Sequence, residues 1–598
     1  MKKIIERIAA LRQLMTREGL GAFIFPSTDA HNSEYVADHW KGREWISGFN
    51  GSAGTVVVSR DGAALWTDSR YFLAAEEQLQ GTGIELMRLK VEGTPGIVEW
   101  LAGQLRETTC PVVGLDGWVN SVEEVEQLRA QLATLGLDVR TGLDPLDEIW
   151  TGRPAIPQAK VEIQPLEYAG ETAQSKLARI RKVLNEGNAE ALLVSALDDI
   201  AWTLNLRGAD VYCNPVVVSY LVIEQDSATL FVDEAKLDAT VSQYLADSGV
   251  EVAQYGAVAD YLRQHHRREG KLRLDGAETC FHLASCAQEA SAVQFAPSPI
   301  PAMKAIKNAS EIEGFRRAML RDGVAMVKFL RWLRPAVEKG GETELSIDRK
   351  LTALRAEQDR FRGISFDTIA GYEAHGAIVH YEATPETDIS LEPHGLVLID
   401  SGAQYQDGTT DITRTVALGP VTEEQRRVYT LVLKGHIQLE LAKFPDGCSG
   451  TQIDALAREP LWRAGLNYLH GTGHGVGSYL NVHEGPHQVR MEYRPAPLHA
   501  GMTITDEPGI YLAGRFGVRI ENTLLIRDYM TTELGKFLQM ESLTLCPIDL
   551  TPVDWSLLTA EEVQWLNDYH REVYEKLSPY LEGEDLAWLK EQCKAVEA

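Results

Sequence analysis

Hydrophobic residues along this chain recur in two rhythms, helical and alternating, and their order repeats once. Near the start, Ile4, Ile5, Ile8, Leu11 and Met15 fall at helical spacing with charges between them, which predicts a helix through 7–18. An apolar strand at 22–25 (AFIF) follows, then Asp29, a WISG run from Trp45, a triple-valine strand at 56–58 and a strand at 64–68 (ALWTD). The second stretch keeps that order: helix 177–185, strand 191–194 (ALLV), Asp198, Trp202, triple valine at 216–218 and strand 229–233 (TLFVD). Identity is low but the order is shared, which predicts two α/β domains of one type.

Proline punctuates the boundaries. TGRPAIP at 151–157 and PSPIP at 297–301 cannot sit inside regular elements. Domains at 1–155, 156–301 and 302–598 are therefore expected. Ser310, with Glu313 three residues on, is the expected N-cap of a long amphipathic helix carrying Phe315, Met319, Val324, Met326, Val327 and Leu330. Short β-branched runs at 396–400, 411–418, 502–507 and 518–526 alternate with helical stretches at 423–443 and 451–464. That order predicts an α+β domain with helices packed on antiparallel sheet. The tail from residue 554, with Trp555, Trp565, Tyr569, Tyr574, Tyr580 and Trp588, reads as core or interface packing.

Composition narrows the function classes. The 598 residues are 44% hydrophobic, enough for several cores, and 58 Lys+Arg against 86 Asp+Glu leave a formal charge of −28. Such acidity argues against nucleic acid or an anionic membrane as the main partner. Neither a signal peptide nor a membrane-spanning run is expected. Seven cysteines without a CxxC pair point to reduced thiols and a cytoplasmic protein.

The chemistry concentrates in three segments. In 396–415 (LVLIDSGAQYQDGTTDITRT) the pair Asp407-Gly408 signals a hairpin turn that brings Asp400 and Asp411 to one site. In 504–526 (ITDEPGIYLAGRFGVRIENTLLI) Glu507 closes one strand and Glu521 sits in the next, with a glycine-bearing loop expected between them. Four acids on apolar strands need common neutralisation, and divalent cations supply it. The third segment, HGTGHGVG at 470–477 and NVHEGPH at 481–487, spaces histidines among glycines that allow close backbone packing; no phosphate-loop spacing is present. The H-E-x-x-H match at 483–487 is accidental, because Gly485-Pro486 breaks the helix that a zinc protease requires. Two Asp, two Glu and one His suit Mn²⁺, with Co²⁺ or Zn²⁺ as alternatives, and suffice for two ions about 3.5–4 Å apart.

Together with GAIVHY at 376–381, SGFNGSAGTVVV and LWTDSRYFL, these motifs resemble the pita-bread metallopeptidases (family M24), and among them the three-domain cytosolic Xaa-Pro aminopeptidase family. The resemblance implies two creatinase-type (RNase H-like) N-terminal α/β domains followed by a pita-bread catalytic domain. It implies Asp400, Asp411, His474, Glu507 and Glu521 as metal ligands, with Asp411 and Glu521 bridging. His380 and His483 match positions that contact substrate and stabilise the tetrahedral intermediate, and His470 matches a further histidine beside the site. Arg70 matches a residue reaching toward substrate, and Arg519 is expected to support the neighbouring ligand Glu521. The implied activity is hydrolysis of the N-terminal Xaa-Pro bond by a hydroxide bridging two divalent ions, with Glu507 as general base, in a homodimer acting on peptides. Prolidase is the nearest alternative, and a non-catalytic pita-bread binding protein the other.

Overall fold

The computed structural model describes residues 2–106, 110–264 and 271–597. Backbone packing divides the chain into two compact units, Met1–Pro165 with Glu171–Ile300, and Leu166–Gly170 with Pro301–Ala598. In the first unit Ala22–Phe25 pairs antiparallel with Thr55–Ser59 and parallel with Val112–Leu115. Ala63–Thr67 and Glu85–Arg88 extend the sheet on one side, and Asp138–Arg140 on the other. A second six-stranded sheet repeats this order and polarity around Ala191–Val194, with Tyr220–Glu224, Ala228–Phe231 and Glu251–Ala253 on one side and Lys271–Leu274 and Ala292–Phe295 on the other.

One strand is displaced from its expected place. The partner of Ala191–Val194 is Tyr220–Glu224, whereas the triple valine at 216–218 lies outside any strand. All three valines are buried, so their hydrophobicity is used without a ladder. The Val218 amide donates instead to the Asp210 carboxylate at 2.7 Å, and Asp210 is also paired with the buried Lys236.

The second unit opens with the helix Ala309–Lys339. Its N-cap is Asn308 rather than Ser310: Asn308 Oδ1 accepts from the Glu311 amide at 3.0 Å, and Glu311 Oε2 accepts from the Asn308 amide at 2.9 Å. This helix and Glu344–Ala356 lay Met326, Phe329, Leu333, Ile347 and Leu351 against Val397, Ile399, Ile412 and Val416 of the sheet Ile369–Tyr372, Leu396–Ser401 and Ile412–Ala417. A second helix pair, Glu423–Glu440 and Gly450–Arg463, covers the sheet Lys443–Pro445, Gly535–Ser542, Asn522–Thr532 and Thr503–Asp506 through Leu439, Ile453, Ile504, Leu524 and Leu538. In the C-terminal region, the helix Ala560–Leu577, followed by Gly583–Gln592, buries Leu566, Tyr569, Val573 and Leu577 in a further core with Val428 and Val432.

Two local expectations shift. Residues 509–519 form a short hairpin, Gly509–Leu512 with Phe516–Arg519, rather than a loop. Tyr405 pairs with Gly408, so the tight turn is Gln406-Asp407, one residue earlier than the Asp-Gly signal suggested. The reason is tertiary: the buried Asp407 carboxylate accepts from Arg317 Nε at 2.9 Å and from Arg321 Nη1 at 2.7 Å, both on the long helix. Backbone follows side chain, since a Cβ at Gly314 of that helix would lie 2.1 Å from the Asp407 carbonyl. Asp407→Asn leaves Arg321 without its counter-charge and is expected to destabilise the second unit by about 3 kcal/mol, measured as an earlier denaturant midpoint in tryptophan fluorescence.

Candidate metal centre

Strand alternation brings the acids to one place. Along Leu396–Ser401, Val397 and Ile399 face the helix core, which turns Leu398 and Asp400 to the opposite side. Asp411 immediately precedes Ile412–Ala417, whose Thr413 lies opposite Asp400. From the other half, Glu507 follows Thr503–Asp506, and Glu521 lies between Phe516–Arg519 and Asn522–Thr532. The Glu521 amide donates to the Thr413 carbonyl at 3.1 Å, so main chain from the two halves meets at the site. His474 lies on Gly473–Gly475, where Cβ atoms at the two glycines would stand 1.9 Å from the Thr505 carbonyl and 2.4 Å from the Glu484 carbonyl. Only glycine permits that approach.

Ligand-type atoms of Asp411, His474 and Glu521 lie within 4.8 Å of one another. His474 Nε2 is 3.4 Å from Asp411 Oδ2 and 3.6 Å from Glu507 Oε1, while its Nδ1–H donates to the Gly475 carbonyl at 2.9 Å. That bond turns Nε2 toward the acids. Glu521 Oε2 accepts from the Thr413 hydroxyl at 2.8 Å, and Glu507 Oε1 from the Thr505 hydroxyl at 3.3 Å. Asp400 Oδ2 accepts from Arg519 Nε and Nη2 at 3.1 and 2.6 Å, but its buried Oδ1 has no hydrogen-bond partner.

Electrostatics follow from that count. Burial pushes Asp400 up to about 7 despite Arg519, with Asp411 and Glu507 adding repulsion. Burial also raises Glu507, and raises Glu521 well above the ordinary glutamate range, with Asp411 and Asp400 adding to the latter. For His474, burial lowers the pKa, but the Asp411 and Glu507 carboxylates outweigh it and hold it at about 9. One guanidinium and one imidazolium cannot neutralise four acids. The oxygen-rich set, its unpartnered Asp400 oxygen and donor atoms 3.4–3.6 Å apart fit divalent cations.

The chain matches the model of metallopeptidase family M24 over residues 313–528 and that of the C-terminal region of peptidase M24 over 536–596. Two models of the creatinase/prolidase N-terminal domain match 7–143 and 152–311. Xaa-Pro aminopeptidase 1 of Dictyostelium discoideum is 41% identical over 99% of this chain and 96% of its own length. The chain belongs to metallopeptidase family M24. Its fold also matches an X-prolyl aminopeptidase from Caenorhabditis elegans, a cytosolic enzyme with a di-nuclear active site, at TM-score 0.94 and 36% identity over all of both chains. The prolidase from Pyrococcus horikoshii, 26% identical with TM-score 0.50, covers 63% of this chain and 99% of its own.

Around this M24 centre the remaining residues fall at different removes. The His483 ring stands perpendicular to His474 with centroids 4.4 Å apart. His470 lies one step back: its Nδ1–H donates to the Gly471 carbonyl at 2.7 Å, and its Nε2 accepts from the Tyr511 hydroxyl at 2.8 Å. Tyr511 in turn accepts from Arg519 Nη1 at 2.7 Å, so His470 reaches Asp400 through two intermediaries. Arg519 grips Asp400 directly and reaches Glu521 through Thr413, whose hydroxyl accepts from Arg519 Nε at 3.2 Å and donates to Glu521 Oε2 at 2.8 Å. His380 is half-buried, and the preceding Val379 carbonyl accepts from Arg519 Nη2 at 3.3 Å. Arg70 lies in the first unit, where Nε and Nη2 grip the Asp68 carboxylate at 2.9 and 2.8 Å. His487 lies on the strand Glu484–Val489 and its Nε2–H donates to the Thr503 carbonyl at 2.7 Å, so the H-E-x-x-H match has no helix. Sequence reasoning missed Tyr511 and Thr413; the signal available was their even spacing from candidate acids, Thr413 two residues after Asp411 and Tyr511 four after Glu507.

A linkage prediction follows from the Asp400 shift. Between its ordinary 3.8 and about 7, the metal-free fold holds a proton that the unfolded chain has released, so this group lowers stability as pH rises through that window. A cation that takes the proton's place reverses the trend. The rise in melting temperature on adding Mn²⁺ to chelator-treated protein should be larger at pH 7.5 than at pH 5.5; equal increments would show that the ion does not bind these acids.

Proposed function

We propose that this M24 chain is a Xaa-Pro aminopeptidase, releasing the first residue of peptides with proline second, built from domains 1–155, 156–301 and 302–598. Asp400, Asp411, His474, Glu507 and Glu521 would hold two divalent ions, with Asp411 and Glu521 shared between them. The observation that carries the reading is the convergence of Asp411, His474 and Glu521 within 4.8 Å, with Glu507 3.6 Å from the same imidazole. Four carboxylates and one nitrogen favour Mn²⁺. A cytoplasmic, homodimeric enzyme is the accompanying proposal; the cytosolic nematode relative supports the first part, as do the free cysteines among the described residues. No helix among the described residues is long and apolar enough to cross a membrane.

When bound, the two ions supply an activated water and polarise the scissile carbonyl. The chain supplies the rest. Glu507, which the Thr505 hydroxyl orients at 3.3 Å, takes the proton of the attacking water and delivers it to the departing proline nitrogen. His483 and His380 donate hydrogen bonds to the oxygen that gains charge as the carbonyl becomes tetrahedral. The Arg519 fork orients Asp400, with Tyr511 and His470 bracing the fork. Proline in the second position lacks the amide N–H, so a pocket for its ring replaces the hydrogen bond that ordinary peptidases use. Arg70, which Asp68 holds in a fixed fork, is the proposed contact from the N-terminal domain to substrate, in its own subunit or the dimer mate.

Prolidase activity is the alternative reading, and the two enzymes differ in substrate length. Chelated protein should hydrolyse Arg-Pro-Pro only after Mn²⁺ is restored; cleavage of Gly-Pro alone would overturn the assignment. Asp411→Asn should reduce tripeptide hydrolysis to background while the melting temperature moves by less than about 4 °C. Wild-type turnover by that variant would remove Asp411 from the ligand set.

A further inference from the structure

Beneath the metal centre, on the other face of the same strands, lies a buried polar network that the proposed reaction does not use. Its hub is Arg414, 1% exposed, whose guanidinium is saturated. Nε donates to the Pro547 carbonyl at 3.1 Å, and Nη1 to the carbonyls of Thr413 and Glu521 at 3.0 and 2.7 Å. Nη2 reaches Asn522 Oδ1 at 2.9 Å, the Cys546 carbonyl at 2.8 Å and the Tyr569 hydroxyl at 2.9 Å. Two of these acceptors are the main chain of Glu521 and of Thr413, the residue whose hydroxyl holds the Glu521 carboxylate at 2.8 Å. Arg414 thus clamps the peptide units from which Glu521 and its hydroxyl donor project.

The clamp is anchored from the C-terminal helix. Tyr569 donates to the Cys546 carbonyl at 2.8 Å while accepting from Arg414, and its ring stacks on Trp565 at 5.2 Å and 5°. Trp565 meets His436 edge-on at 5.8 Å. On the other side, Asn522 Nδ2 donates to Glu440 Oε1 at 2.8 Å. His436, Glu440 and Asp506 form a second cluster of ligand type, all buried. Yet the two ring nitrogens face different carboxylates, Nδ1 toward Asp506 at 3.1 Å and Nε2 toward Glu440 at 3.3 Å, so one ion bound through one nitrogen cannot take both short contacts. Of the three, Glu440 is joined to the network, through Asn522.

We propose that Tyr569, on the aromatic C-terminal helix, is a positioning residue for the metal centre: acting through Arg414 and Asn522, it holds Glu521 in register with Thr413. The C-terminal region would then tune metal affinity in addition to closing a core. This inference rests on the two-ion reading of the site. A single hydroxyl is the test, because Tyr569→Phe keeps the ring, its stacking on Trp565 and its buried volume. Mn²⁺ binding to chelator-treated protein, followed by the electron paramagnetic resonance of the free ion, should weaken by about tenfold, the scale of lost outer-shell support. KM for Arg-Pro-Pro should stay within twofold of wild type, with kcat recovering at excess Mn²⁺. Asn522→Ala, which cuts the path one residue nearer the ligand, should weaken Mn²⁺ binding at least as much. Val573→Ala on the same helix is the packing control, expected to lower the melting temperature without changing Mn²⁺ affinity. Wild-type Mn²⁺ affinity in Tyr569→Phe or Asn522→Ala, or an equal loss in Val573→Ala, would overturn the inference alone. A wild-type protein that takes up no Mn²⁺ would overturn the two-ion reading and the inference with it.

Discussion

Mutual repulsion among the buried carboxylates of Asp400, Asp411, Glu507 and Glu521 is the constraint around which the catalytic unit is arranged. Two unit charges 4 Å apart repel by about 4 kcal/mol at the effective dielectric of a protein site. A hydroxyl donor such as Thr413 on Glu521, or Thr505 on Glu507, returns only about 1–1.5 kcal/mol, more against a charged acceptor. The single guanidinium of Arg519 serves Asp400. Donors of this strength orient the acids without neutralising them, and the deficit makes the site a cation site.

Holding such a group together takes rigid backbone from both halves of the unit. Two helix pairs, each packed on its own antiparallel sheet, present strand ends toward one another, and the Glu521 amide on the Thr413 carbonyl joins them. Strand geometry then divides labour between faces. Residues at one parity carry ligands and their hydroxyl donors, and adjacent residues Arg414, Asn522 and Asp506 point behind. The rear face is wired to the helix Ala560–Leu577, whose Tyr569 accepts from Arg414 at 2.9 Å.

The first unit is a duplication in shape. Its two sheets share strand order and pairing polarity although their sequences have diverged, because the order of helix, central strand and antiparallel hairpin is what the pattern preserves. The aminopeptidase from the nematode matches the whole chain, and the archaeal prolidase covers 63% of it.

Much of the site was legible because its residues are locally improbable. Acids at the ends of apolar strands, and glycines alternating with histidines, marked Asp400, Asp411, His474, Glu507 and Glu521 as candidates, and the family resemblance joined them into one proposed ligand set. Local signals failed where a distant partner outbid them. Asp407 took arginines from a helix 86–90 residues away and moved its turn, and Val218 gave its amide to Asp210 instead of a strand. Arg519 grips Asp400, 119 residues away, and Tyr569 meets Arg414 across 155 residues. The sequence by itself determined the chemistry, through residue types whose burial demands a cation, and the element order, through periodicity. Only the tertiary structure decided which donor holds which acid, because hydrogen bonds act over about 3 Å in space and carry no trace along the chain.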